Sequence, residues 1–319
     1  MRRRNEHCQT GTQMTRRAVV TAGVSAAANA VLGGSAAAAA RAAGTTGEEA
    51  TALRIALVAD PHVTRGEDAQ KRSYGVHFDR VIASVNAVEG GVDAVLVAGD
   101  LTDDGLPEQY DDFKARADRF RCPAVWSVPG NHDVGNKRRE GADADGGTIT
   151  DARLRRYEDK VGPSFWVRSL SDGTRVIGVN TPLLGSGLPR EAEQWAFLEH
   201  ELGATGDRRQ TLVLLHYPLF TEAPDEPSSV YWNVEPAPRR RLLELLSTVG
   251  PSVRAVFSGH LHRPLERAAG NLRFLGAPPV SFGLPTGKQP EGWTLVTIPA
   301  AGPASARFVA VATDARRDA

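Results

Sequence analysis

Cysteine is almost missing from this chain, with only Cys8 and Cys122 in 319 residues. Cys8 falls in an N-terminal segment that reads as a removable leader. Cys122 is then alone, and no intramolecular disulfide can form in the remainder. Long apolar runs are missing as well. The weakly apolar stretch Ala18–Leu32 is broken by Thr21, Gly23, Ser25 and Asn29, and it falls short of the roughly 20 apolar residues that span a bilayer. Neither sign of charge is in excess, since 38 Lys and Arg balance 38 Asp and Glu. Without residues 1–43, which hold six arginines and one glutamate, 32 basic residues face 37 acidic ones. So mild an acidity excludes nucleic-acid binding through a broad basic face. Any pull on an anion must come from a local site. No internal repeat occurs, and no low-complexity segment lies outside the leader.

The leader has a recognisable order. Met1-Arg2-Arg3-Arg4 opens it, Arg16-Arg17 directly precede Ala18–Leu32, and an alanine-rich run ends at Ala42-Ala43. A basic region, a short apolar region and a small-residue cleavage zone predict a signal peptide over residues 1–43. The paired arginines resemble a Tat signal, which implies the Tat export machinery as a partner and a periplasmic or extracellular destination. No lipobox cysteine stands near the cleavage zone, so no stable membrane anchor is expected. Residues 44–51 read as a polar linker, 52–313 as one large domain, and 314–319 as a disordered tail.

Within that domain the informative pattern is positional. Five short apolar runs each end in a polar residue able to bind or react. Leu53–Ala59 ends in Asp60-Pro61-His62, and Ala94–Ala98 in Gly99-Asp100. Ala124–Val128 ends in Pro129-Gly130-Asn131-His132-Asp133, Leu212–Leu215 in His216, and Val253–Phe257 in Ser258-Gly259-His260-Leu261-His262. Runs of this length and composition predict buried strands. Helical stretches are predicted at Val76–Val88, Pro107–Arg119, Asp151–Val161, Glu191–Leu202 and Arg239–Thr248. Their alternation with strands implies an α/β sheet whose ligands gather at the carboxyl ends of the strands. After His262 the runs Leu272–Leu275, Trp293–Ile298 and Arg307–Ala312 lack intervening helices. They predict a second, more antiparallel sheet completing a sandwich.

Five of the eight histidines sit at these strand exits, beside Asp, Asn or Gly. In His260-Leu261-His262 and Asp60-Pro61-His62, alternate positions of an extended segment point the same way. Asp60, His62, Asp100, Asn131, His216, His260 and His262 together offer nitrogen and oxygen donors and no sulfur. That set is too large for one tetrahedral zinc. It suits two metals about 3.5–4 Å apart that share a carboxylate. Imidazole with carboxylate fits Mn, Fe, Zn or Co without choosing among them.

The ordered set Asp-x-His, Gly-Asp, Gly-Asn-His-Asp, His and Gly-His-x-His resembles the calcineurin-like metallophosphoesterase superfamily, over roughly Leu53 to Ile298. Gly99–Gly105 and His216-Tyr217-Pro218 are similar to its cyclic nucleotide and glycerophosphodiester phosphodiesterase branch. The resemblance implies a four-layer α/β/β/α sandwich of two mixed sheets, with the dimetal site at the carboxyl ends of strands. It also implies the division of ligands: Asp60, His62 and His262 on one metal, Asn131, His216 and His260 on the other, Asp100 bridging. By the same resemblance a metal-bridging hydroxide attacks phosphorus in line. His132 then stabilises the phosphoryl oxygens and protonates the leaving group, with Asp133 orienting it. Purple acid phosphatases of this superfamily carry a Tyr ligand where Asp103 stands here, and the protein phosphatases carry Glu where Asp133 stands. Both departures favour a small-molecule phosphodiester as substrate.

The alternatives are a phosphomonoesterase or nucleotidase of the same fold, and a non-catalytic scaffold, which typically loses part of this ligand set. Substrate choice is expected in the loops Thr64–Ser73, Val134–Thr150 and Thr221–Pro238. Tyr231, Trp232 and Asn233 there either contact a leaving group or pack the loop onto the body. His77 is expected on a helix surface, and Arg138-Arg139 and Arg239–Arg241 on solvated faces.

Overall fold

Strands buried on both faces have no polar side to show, and that is how the central strands of this protein read. The computed structural model describes residues 52–64, 74–138, 147–203, 210–249, 252–269 and 272–311. The signal, linker and tail expected at 1–43, 44–51 and 314–319 lie outside the described residues, as does most of the loop 64–73.

In chain order the first elements are β1 (Leu53–Val58), α1 (Tyr74–Asn86), β2 (Ala94–Ala98), α2 (Pro107–Ala117), β3 (Val125–Val128), the single turn α3 (Asn131–Val134) and α4 (Asp151–Lys160). Then come β4 (Trp166–Ser169), β5 (Arg175–Gly178), α5 (Pro189–Gly203), β6 (Thr211–Leu214), α6 (Pro236–Val249) and β7 (Val253–Ser258). The chain closes with β8 (Leu265–Ala269), β9 (Leu272–Gly276), β10 (Gly292–Ile298) and β11 (Ser305–Ala310). The first sheet has the order β11-β10-β1-β2-β3 and the second β4-β5-β6-β7-β9-β8. Each has a parallel centre, β1-β2-β3 or β5-β6-β7-β9, finished by antiparallel strands.

Side chains alternate along a strand, and both faces of these strands are covered. In β1, Ile55 and Leu57 enter a cluster with Leu212, Leu214 and Phe257 of the second sheet, while Ala56 and Val58 enter one with Phe78, Ile82 and Phe113 of α1 and α2. A third cluster joins Val213 and Val256 to Leu198 of α5 and Leu242 of α6. Three clusters therefore separate four layers: helices, sheet, sheet, helices. The helices bury one stripe each; in α1 it is Tyr74, Phe78, Val81, Ile82 and Val85, at helical spacing. No helix among the described residues is long and apolar enough to cross a membrane.

Two expectations change. The strands after His262 do not form a second sheet of their own. Parallel to β7, β9 extends the second sheet, whereas β10 returns to the first and pairs antiparallel with β1, Leu53 opposite Ile298. The second sheet is instead built largely of β5, β6 and β7, and the short strands β4, β5 and β8 were not expected. The run Arg239–Arg241 is not a uniformly solvated face either. Arg239 is 2% exposed, and its guanidinium donates to the carbonyls of Leu219, Val234 and Glu226 between α6 and the loop before it.

Candidate metal centre

All seven expected ligands leave the carboxyl ends of β1, β2, β3, β6 and β7, and the chain bends sharply to deliver them. Asp60, His62, Asp100, His260 and His262 adopt φ of 53°, 44°, 49°, 70° and 52°. Non-glycine residues in this left-handed region cost about 1–2 kcal/mol each, and such strain concentrates where surrounding structure imposes it for function. Close approach explains two glycines. At Gly99, φ 81°, an added Cβ would lie 2.5 Å from Nδ1 of His216, and at Gly130 it would overlap the Asp100 carboxylate.

The result is two overlapping clusters of expected ligands, with a third, of His62, Asp103 and His132, sharing His62 with the first. Asp60, His62, Asp100 and His262 place donor atoms within 4.8 Å of one another, as do Asp100, His216 and His260, so Asp100 belongs to both. Its Oδ2 lies 3.6 Å from Nε2 of His62 and 3.3 Å from Nε2 of His216. Asn131 joins through Oδ1, 2.9 Å from Nε2 of His216. All seven side chains are nearly withdrawn from solvent, Asn131 the most open at 6%.

Each imidazole has its outward nitrogen tied to an acceptor. Nδ1 of His216 lies 2.8 Å from the Ala98 carbonyl oxygen, Nδ1 of His262 2.6 Å from that of Phe282, and Nε2 of His260 3.1 Å from that of Tyr231. Nδ1 of His62 lies 3.0 Å from Oδ1 of Asp103. Carbonyls and carboxylates only accept, so the proton of a neutral ring sits on the outward nitrogen and the lone pair points inward. Inward, Nε2 of His62 and Nε2 of His262 then face each other at 3.2 Å, lone pair to lone pair. Acceptor atoms turned on one another fit a cation between them, and outer hydrogen bonds of this kind orient metal-binding histidines.

The charges agree. Burial pushes His62, His260 and His262 down and keeps them neutral. Burial also opposes ionised Asp100, yet the charge of His216 and His132 and the hydrogen bond from His216 hold it well below the usual carboxylate range. His216 differs from the other three: burial is outweighed by the carboxylates of Asp100 and Asp60, it rises to about 9, and its inward Nε2 carries a proton toward Asn131 and Asp100 until a cation replaces it. Burial and the Asp100 charge push Asp60 up to about 6, against His262 and His216. Positive charge is therefore called for beside Asp100, between the two clusters. The donor set fits two divalent cations, and nothing in it selects the element.

His132 and Asp133 separate. The His132 side chain is 37% exposed, stands edge-on to His62 at 4.4 Å between ring centroids, and has Nδ1 2.6 Å from the Asp103 carbonyl oxygen. Asp133 does not orient it. Its carboxylate turns inward and accepts from the amides of Gly130, Leu101 and Thr102 and from Oγ1 of Thr102. Four short-range donors outbid a ring whose Nδ1 already has a partner, and Asp133 staples the β2 and β3 exits together. The orienting residue is Asp103, whose side chain holds His62 and whose carbonyl holds His132. Sequence reading marked Asp103 only as a departure from the tyrosine pattern. Tyr231 also reaches the centre: Nδ2 of Asn131 donates to its hydroxyl at 3.3 Å, which turns the Asn131 carbonyl oxygen toward His216. His77 lies partly buried at the start of α1, tied to the Ser281 carbonyl at 2.9 Å.

Residues 53–264 match the calcineurin-like phosphoesterase family. A probable cyclic nucleotide phosphodiesterase of Synechococcus sp. is 25% identical over 247 residues, 77% of this chain and 87% of that protein. The serine/threonine-protein phosphatase CPPED1 of Homo sapiens is 28% identical over 239 residues, 70% of this chain and 69% of that protein. Among solved structures, a dimetal phosphatase of Danio rerio superposes with a TM-score of 0.52 at 11% identity, covering 80% of this chain and 98% of that one. The chain belongs to the calcineurin-like phosphoesterase family and is a metal-dependent phosphoester hydrolase.

Proposed function

We propose that this member of the calcineurin-like phosphoesterase family hydrolyses phosphodiesters of small molecules. The observation that carries the reading is the pair of clusters sharing Asp100, with bare imidazole nitrogens turned inward and one partly exposed histidine at their rim. In this reading Asp60, His62 and His262 would hold one cation and Asn131, His216 and His260 the other, with Asp100 available to both. Bound there, two divalent ions supply an acidified water and positive charge for the phosphoryl oxygens. The rest falls to the chain. Asp103 fixes His62 through Nδ1 and His132 through its carbonyl, which leaves Nε2 of the partly exposed His132 available to a substrate. A donor there reaches the oxygen of a departing alcohol and delivers a proton to it. The deep, dry setting of the clusters strengthens each of these electrostatic contacts.

Two features support a diester over a monoester. Asp103 occupies the place where purple acid phosphatases carry tyrosine, and it is engaged with His62. A relative of comparable length is described as a probable cyclic nucleotide phosphodiesterase. The monoesterase reading draws on the similarity to a serine/threonine-protein phosphatase. Parallel hydrolysis of bis(p-nitrophenyl) phosphate and p-nitrophenyl phosphate by metal-loaded protein, beside Asn131→Ala, decides between them. Faster diester turnover, reduced at least about 100-fold in the variant, is expected; monoester turnover alone would overturn it. Export through the Tat route is part of the same proposal and rests on Arg16-Arg17 and the segment after them. A reporter fused to residues 1–51 is expected outside the cytoplasm, and retention of that reporter would sink the export claim.

A further inference from the structure

Beside the metal centre runs a cleft of about 360 Å³ whose walls are Trp232, Leu261, Leu284 and Pro285, with Thr221, Ser229 and Arg263 at its polar edge. A larger cleft of about 470 Å³ lies between α2 and the edge strands β3 and β4, and neither cleft is lined by a candidate ligand itself. The smaller one is joined to the centre by covalent and hydrogen bonds. Leu261 separates His260 from His262, the Leu284 amide donates to the His262 carbonyl at 3.0 Å, and the Trp232 ring stands 5.7 Å from that of His260.

The wall formed by Trp232 is held in place by buried polar ties. Asn233 is fully buried, accepts from the amide and hydroxyl of Ser229 at 3.1 and 2.9 Å, and donates to Glu226 at 2.5 Å. The Ser229 hydroxyl in turn takes the Trp232 amide at 2.9 Å. Val230 is held at φ 68°, a strained state for a β-branched residue. All this fixes two aromatic rings partly in water, Tyr231 at 37% and Trp232 at 39% exposed. Tyr231 packs on His260, 4.7 Å between centroids, and accounts for the packing role. The Trp232 face remains as the wall of the cleft.

Polar recognition in the cleft falls to Arg263. The Thr221 and Ser229 hydroxyls are already bound to Glu226 and Asn233. Nearby arginines are paired, Arg267 with Glu222 and Arg273 with Glu266. Arg263 is partly buried directly after His262, and no hydrogen bond or ion pair engages it among the described residues. A guanidinium beside an apolar wall, its donors unspent, matches an anionic or carbonyl oxygen carried on a flat ring.

We propose that this cleft binds the organic half of the ester and takes a planar aromatic group bearing an acidic or carbonyl oxygen, stacked on Trp232 and read by Arg263. The proposal deepens the hydrolase reading and rests on it for the position of the phosphoryl group. Calorimetric binding to the metal-loaded protein tests it with methylphosphonate, phenylphosphonate and 4-carboxyphenylphosphonate. Phenylphosphonate is expected to bind about 5- to 100-fold tighter than methylphosphonate, with the carboxylated ring about tenfold tighter again. Trp232→Ala should erase the first step, Arg263→Gln the second, and neither should change methylphosphonate affinity or the melting temperature. Equal binding of the three probes by the wild type, binding of none, or variants that weaken all three alike would overturn the cleft assignment. Graded binding without hydrolysis of any ester would keep the cleft and overturn the hydrolase reading instead.

Discussion

The two sheets contribute unlike halves to the centre. The first sheet delivers both carboxylates, the amide and one imidazole, through Asp60, His62, Asp100 and Asn131. The second delivers imidazoles alone, through His216, His260 and His262. Each half is poorly formed by itself: the first gathers negative charge that burial penalises, the second three rings with lone pairs and no counter-charge. Their juxtaposition depends on the apolar layer between the sheets, where Leu57, Leu96, Leu214 and Phe257 are fully buried. Ligand geometry and core packing are therefore one problem in this protein, and a lesion in either should appear in both.

The largest effect is expected where the halves meet. Asp100 faces His62 of its own sheet and His216 of the other. Asp100→Ala should lower kcat about 10³-fold or more, roughly 4 kcal/mol, and bring bound metal below two per chain by elemental analysis. Full occupancy with full activity would show that the halves do not need a shared carboxylate. Next comes the layer that aligns them. Phe257→Ala should cost about 3–5 kcal/mol of stability, read as a lower denaturation midpoint, and the loss should shrink little when metal is supplied. If activity at low temperature survived untouched, the alignment would be set by the ligands and not by the core.

What the sequence displayed, and what it withheld, follows the same divide. Strands buried on both faces leave continuous apolar runs, and the residue that ends each run has to turn the chain, so ligand positions were visible as punctuation. Pairing partners were not. Nothing in Trp293–Ile298 announces that it returns to β1, because register is chosen by the surface it meets. Strands β4 and β5 are four residues each and carry Arg168 and Arg175; Arg175 is buried where Glu201 meets its guanidinium. Ser171-Asp172-Gly173 between them is a hairpin turn signal that was available to be read. The acceptors that aim the imidazoles are mostly backbone carbonyls, of Ala98, Tyr231 and Phe282, and a carbonyl has no sequence identity.

Asp103 is the exception, an outer partner that acts through its side chain, and it allows the smallest and sharpest test. Its carboxylate holds Nδ1 of His62, whereas its backbone carbonyl holds His132. Asp103→Asn leaves the carbonyl in place and replaces a charged acceptor by a neutral amide of the same shape. Metal affinity should fall about 10- to 100-fold at the position shared by Asp60, His62 and His262, with the other position little changed. Saturating metal should then restore most of kcat, since His132 keeps its anchor. Equal weakening of both positions in a metal titration would mean that Asp103 acts on the whole centre through its charge. Unequal weakening would mean that it acts by aiming one ring, and that the two halves can be tuned separately.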